Sequence, residues 1–293
     1  MPPTLAADDP AAAVKSERLL PEARPEHWQP LPDYAELLTA RHEAHRGTFE
    51  RMIADLPLRP DSRVLDVAIG DGFYTQLLTE RTPDCPAVGL DVSTDYLAFA
   101  DDAYVDAKQA RLVSGDAETL PFDDDTFDLV WCAHSLRSLP DAVAAVKEWA
   151  RVTRPGGHVA VLENDRLHGL MLPWPPDVEL ALYNAECAAS DGDCSRVVGG
   201  LHAGRTLHKL ARACGLTLAS KRSYVTEASP PSDADRAFLK LHLGQMRTRC
   251  AAELSDDDYA AAMRYVDPAG EMYLPVAEDL EMTFLDHVAL MRV

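Results

Sequence analysis

The sequence is short of three things, each of which would mark a class of function. Its six cysteines, Cys85, Cys132, Cys187, Cys194, Cys214 and Cys250, are scattered without a C-x-x-C pair. That spacing suits reduced thiols better than a disulfide framework or a zinc site, and no metal is expected. No apolar run reaches the roughly 20 residues needed to cross a bilayer. The opening "MPPTLAADDPAAAVKSER" lacks the basic start and apolar stretch of a signal peptide. Basic residues are scarce: 28 Lys and Arg stand against 48 Asp and Glu, a formal net charge of −20. Such a chain repels phosphate backbones and anionic membrane surfaces, which argues against nucleic acid and membrane as partners. The expectation is a cytoplasmic protein that acts on a small molecule.

What is present is enough apolar sequence for a substantial core, 47% of 293 residues. Residues 1–30, rich in Pro, Ala and acids, read as an irregular N-terminal segment. From Asp33 a helical period places Leu38, His42, His45, Phe49 and Met52 on one face, until "PLRPDS" stops it. Short apolar runs then alternate with helical segments. The spacing predicts strands at 63–69, 86–92, 110–115, 128–134 and 158–164, and helices near 72–81, 94–107 and 140–153. Near-continuous apolar strands between helices indicate a parallel sheet covered on both faces. Beyond residue 165 the pattern predicts helices at 177–190 and 204–214, a strand at 217–227, a helical block over 233–265, and a final strand in "TFLDHVALMRV".

The first strand runs into "RVLDVAIGDGFYTQLL". A tight glycine turn after the first parallel strand is where α/β sheets bind nucleotides, against the next helix. A dinucleotide fingerprint would need G-x-G-x-x-G, but its third glycine position is Thr75 or Phe73, and no lysine follows to make a Walker loop. The turn carries acids instead. Asp66 near the strand end and Asp71 inside the turn are hostile to a pyrophosphate and suited to a sulfonium or ammonium. Asp91 ends the second strand, where a carboxylate can accept both hydroxyls of a ribose. Asp116, in "SGDAETLPF", follows the third strand and can accept from an exocyclic amine. Three acids at successive strand ends describe a pocket for an adenosyl amino acid.

With these residues in place, the stretch over about 60–165 resembles the class I S-adenosylmethionine-dependent methyltransferases, small-molecule type. "VLDVAIGDGFYTQLL" is similar to the family's V-L-D-x-G-x-G-x-G motif, "VGLDVS" to its ribose-binding strand end, and "SGDAETLPFDDDTFDLVWC" and "ARVTRPGGHVAVLEN" to its later motifs. "HSLRSLPD" stands where quinone-biosynthesis members carry a comparable segment. The resemblance implies a doubly wound, seven-stranded, mostly parallel sheet over residues 31–293, with N-terminal helices and a helical insertion before the last strand. It implies S-adenosylmethionine as cofactor. Asp66 and Gly70 would hold the methionine end, Asp91 the ribose, and Asp116 with Ala117 the adenine; Ala68, Val92 and Cys132 complete the expected cofactor set. Ala68 departs from the family, replacing its first glycine with what reads as a small steric addition.

The methyl acceptor belongs beyond strands four and five, at their carboxyl ends. His134 is the candidate general base, with packing as the alternative. Arg137, Asp165, His168 and Trp174 are the candidate substrate residues, and His168 and His202 are further candidate bases. Glu163, Asn164 and Asp165 form an acidic cluster, a weak metal site by itself. His158 reads as the structural start of a strand. Segments 166–205 and 229–280 are expected to supply a substrate-side lid or a homodimer contact.

Overall fold

The computed structural model describes residues 31–103, 110–190, 200 and 202–293. The expected irregular segment 1–30 and the far end of the helix expected at 94–107 lie outside them. Helix α1 (Leu31–Ala54) leads into β1 (Val64–Val67), α2 (Phe73–Arg81), β2 (Val88–Asp91), α3 (Thr94–Ala103), β3 (Arg111–Ser114) and β4 (Phe127–Ala133). Helix α4 (Ala142–Val152), β5 (Thr153–Asn164), β6 (Leu170–Met171), α5 (Pro176–Ala189) and α6 (Ala203–Cys214) follow. The chain closes with β7 (Thr217–Ala228), α7 (Asp233–Cys250), α8 (Asp256–Val266) and β8 (Met282–Arg292).

Strands β3, β2, β1, β4 and β5 lie side by side in that order and all parallel. The antiparallel β8 pairs with β5 through Asn164–Asp286 and with β7 along the length of both. Among the described residues the sheet has eight strands rather than seven, because β6 pairs with β8 at Leu170–Phe284 just beyond the end of β5. β1 is buried on both faces, which is why it reads as a nearly unbroken apolar run, whereas the edge strand β7 alternates exposed and half-buried positions. His158 sits within β5, opposite Arg292, and not at its start.

Leu65, Val67, Val130, Cys132, Val159 and Val161 point to one face of the sheet and pack with Trp149 of α4 and Leu207 of α6. Val64, Leu129, Trp131, Ala160 and Leu162 point to the other, against Phe49 and Met52 of α1 and Phe73 of α2. A third apolar cluster has no sheet face of its own. It joins Leu182 of α5, Leu239 and Leu243 of α7, and Tyr265 of α8 to Phe284 of β8. Thus the 229–280 block forms two helices, as its pattern predicts, and they cap one end of the sheet. Helix α7 starts on a capping box between Ser232 and Asp235, α4 on Asp141, and α6 stops at the left-handed Gly215. Cys187 is disulfide-bonded, against the expectation of reduced thiols; its partner lies outside the described residues. Among the described residues no helix is long and apolar enough to cross a membrane, and no cluster of His, Cys, Asp or Glu could hold a metal ion.

Candidate active site

The carboxyl ends of β1 and β2 carry the acids the sequence points to. Asp66 is buried and accepts a hydrogen bond from Thr75 Oγ1 of α2 at 2.7 Å. Burial, with Asp91 and Asp71 nearby, pushes its carboxyl up to about 8. Asp91 is fixed by backbone donors, Ser93 N at 2.9 Å on one oxygen and Gly70 N at 3.2 Å on the other. Burial pushes it up to about 6, while those donors pull the other way. Asp71 accepts from Phe73 N at 3.1 Å at the start of α2 and lies 2.8 Å from His42 Nδ1 of α1. The two buried histidines of α1 differ: His42 has that partner and stacks on Phe73, while both ring nitrogens of His45 lack one.

Between Asp66 and Asp71 the backbone turns through left-handed residues at Ala68 (φ 59°), Gly70 (φ 56°) and, just past it, Gly72 (φ 84°). At Ala68, then, the missing glycine matters more for backbone conformation than for the size of a methyl group. An L-residue in that region costs about 1–2 kcal/mol. At Gly70 a Cβ would stand 3.0 Å from Leu38 Cδ2, so α1 lies directly over the turn. Asp116 stands at the third strand end, accepting from Glu118 N at 2.8 Å, with Ala117 buried beside it. Val92 follows Asp91 at the rim. Cys132 lies next to last in β4, opposite Val67, with its thiol buried in the core, which pushes its ionisation up.

Beyond β4 and β5 lies a cavity of ≈ 200 Å³. His134, Arg137, Asp165 and Trp174 all line it. His134 takes a left-handed backbone (φ 52°), its N–H bonded to Leu162 O at 2.8 Å. Its Nε2 has no hydrogen-bond partner and lies 3.8 Å from Asp286 Oδ1. Burial, then Arg41, His42 and His45, hold its pKa well below the usual range, so the ring is neutral and a weak base. His168 does not belong to the cavity: its side chain is 56% exposed and turns to Asp165. Asp165 in turn is clasped by the Arg205 guanidinium. His202 lies 2.6 Å from the Tyr183 hydroxyl and 3.6 Å from Asp165.

Several cavity residues carry no local sequence signal. Arg41 of α1 donates to Asp286 of β8 at 2.8 Å. Glu186 of α5 is bonded by both Arg166 and Arg249, which hold its carboxyl down to about 2 against its burial. Phe238, His242 and Met246 of α7 complete the wall. Only the helical period of α7 could have suggested that they share a face.

Residues 65–161 match the family model described as a methyltransferase domain. That stretch is thus similar to a methyltransferase domain. The fold of the chain is that of an S-adenosylmethionine-dependent methyltransferase from Thermotoga maritima, at 14% identity and a TM-score of 0.52 over 89% of this chain and 95% of that one. The YcgJ protein of Bacillus subtilis shares the fold at 17% identity and a TM-score of 0.50, over 84% and 98%. The chain is also 35% identical over 125 residues to a demethylmenaquinone methyltransferase of Staphylococcus aureus, covering 42% of this chain and 52% of that protein. The chain thus spans about half the length of the curated relatives it matches.

Proposed function

We propose that this protein transfers a methyl group from S-adenosylmethionine to a small, largely apolar acceptor held in the cavity over β4 and β5. The observation that carries this reading is Asp91: a buried carboxylate at the end of β2, oriented by Gly70 N and Ser93 N, beside a turn of left-handed residues. A carboxylate so placed suits a ribose diol, and the acid-lined turn excludes a pyrophosphate. Asp66 and Gly70 would hold the methionine end, with Asp116 and Ala117 at the adenine. When bound, the cofactor supplies a methyl carbon activated by its sulfonium.

The chain's own residues do the rest. Leu38 of α1 covers the glycine turn and sheds water from it. Leu170, Trp174, Phe238 and Phe284 supply apolar walls that orient an acceptor, and the unpartnered His134 Nε2 and Trp174 Nε1 each offer it a hydrogen bond. Neutral His134 serves better as that contact than as the base. The quinone-type acceptor named for the Staphylococcus aureus relative fits an apolar wall with few polar groups.

The test is to incubate the protein with methyl-labelled S-adenosylmethionine and a panel of aromatic and lipid-like acceptors, and to quantify S-adenosylhomocysteine. Label in an acceptor, matched mole for mole by S-adenosylhomocysteine, is expected. A protein that binds S-adenosylmethionine but never yields S-adenosylhomocysteine is a binding module instead.

A further inference from the structure

The reading above leaves one fully buried carboxyl of the cavity wall unused. Glu163, next to last in β5, is buried with its carboxyl in the cavity wall. One oxygen accepts Leu136 N at 2.9 Å; no guanidinium bonds the carboxyl among the described residues. Among the other carboxylates around the cavity, Asp286 is engaged by Arg41, Glu186 by Arg166 and Arg249, and Asp165 by Arg205, while Glu179 is only half-buried. An acid kept dry, oriented by one backbone donor and without a bonded cation costs stability unless a ligand uses it.

We propose that Glu163 takes the proton of an acceptor hydroxyl, and that the acceptor is a neutral aromatic alcohol of the phenol class. The proposal rests on the methyl-transfer reading and deepens it. The acceptor proton passes to the Glu163 carboxylate. The hydroxyl oxygen forms the O–CH3 bond as the S–CH3 bond breaks, its electron pair remaining on sulfur. The proton then leaves Glu163 for water. Chemistry selects this class. Aromatic amines attack with a lone pair already available, an alkylammonium would bring a second cation against the sulfonium, and aliphatic alcohols are too weakly acidic for a carboxylate. Phenols ionise near 10, within reach of a raised carboxyl. The apolar walls suit a ring, and pairing of Arg41, Arg166 and Arg249 leaves those cations little to offer an anion.

Charge around Glu163 comes from each neighbouring element. Arg137 after β4 and Arg41 of α1 favour its ionised form; Asp286 of β8 opposes it; neutral His134 adds no charge; and burial prevails, pushing the group to about 7. It is therefore part carboxylate and part acid near neutrality, as a proton acceptor working at that pH should be.

The test compares the full chain with Glu163→Gln and Glu163→Asp on two sets of substituted phenols, one neutral and one already ionised at the assay pH. On neutral phenols Glu163→Gln should lose about 100-fold or more in kcat with KM within about threefold, and Glu163→Asp should recover part of it. On ionised phenols the loss should stay below about fivefold, since no proton remains to be removed. Wild-type kcat should rise with pH through about 7 and Glu163→Gln should lack that rise. A carboxyl infrared band titrating in the same range should vanish in Glu163→Gln. Equal losses on both sets, unchanged turnover, or a wild type that methylates amines but no phenol would each overturn the role of Glu163. Failure of wild type and variant alike to bind S-adenosylhomocysteine in calorimetry would instead overturn the methyl-transfer reading.

Discussion

The two halves of the site position their acids by opposite means. Over β1–β3 the carboxylates are held mainly by backbone N–H groups and a hydroxyl. Asp91 is fixed by Ser93 N and Gly70 N, Asp66 by Thr75, and Asp71 by Phe73 N. Over β5 and the helical cap they are held by guanidinium groups, Asp286 by Arg41 and Glu186 by Arg166 and Arg249. Backbone donors cost little side-chain entropy. Ion pairs between long side chains cost more and depend on both segments being in place. The first half rests on uncharged donors at the strand ends, whereas the second rests on charges brought together from several elements.

The sharpest test of that contrast is Asp91→Ala. A ribose losing a charged acceptor costs about 1.5–3 kcal/mol, roughly tenfold to over a hundredfold in the dissociation constant of S-adenosylhomocysteine. Calorimetry measures it, and an unchanged constant would remove Asp91 from the cofactor site.

Next in size is Glu186→Ala, which strands two guanidinium groups. Both keep some contact with water, so the expected cost is about 2 kcal/mol in urea unfolding, below that of a fully buried pair. Cofactor affinity should not change; a parallel loss would mean the halves are not separable. The two halves should also respond oppositely to acid. The depressed Glu186 carboxyl contributes stability present above its ordinary 4.5 and lost as pH falls through about 2. The raised Asp66 carboxyl contributes stability present below 3.8 and lost as pH rises through about 8. Asp66→Asn should therefore flatten the alkaline side of a stability profile and Glu186→Gln the acid side.

The smallest effect is Ala68→Gly. Relief of the left-handed strain, partly offset by the freer unfolded chain, should stabilise the protein by about 0.5–1 kcal/mol in urea unfolding. A loss of stability would mean that the Ala68 methyl group packs usefully against the core.

The same contrast decides what could be read in advance. Asp66, Gly70, Asp91 and Asp116 lie at ends of strands whose apolar runs are visible in the sequence, so their convergence followed from the order of elements. Arg137 and Trp174 were legible as neighbours of such ends. Glu163 was visible only as part of an acidic cluster; nothing in "VLEN" tells that Leu136 would hold one oxygen. Glu186, Arg249 and Phe238 were illegible, because they meet through packing among α5, α7 and β8, and no spacing encodes it. That His168 turns to Asp165 and the Cys132 thiol into the core was illegible for the same reason: position at a strand end or in a loop does not say which way a side chain turns. The left-handed backbone at Ala68 was masked by reading its glycine counterpart as a matter of size.

Helix α1 draws a consequence from its own position. Leu38 rests against Gly70, while Leu37, Leu38 and Arg41 also line the cavity. One helix thus forms a party wall between the glycine turn and the cavity. If the proposed donor and acceptor occupy these two rooms, a shift of that wall by one would be felt by the other.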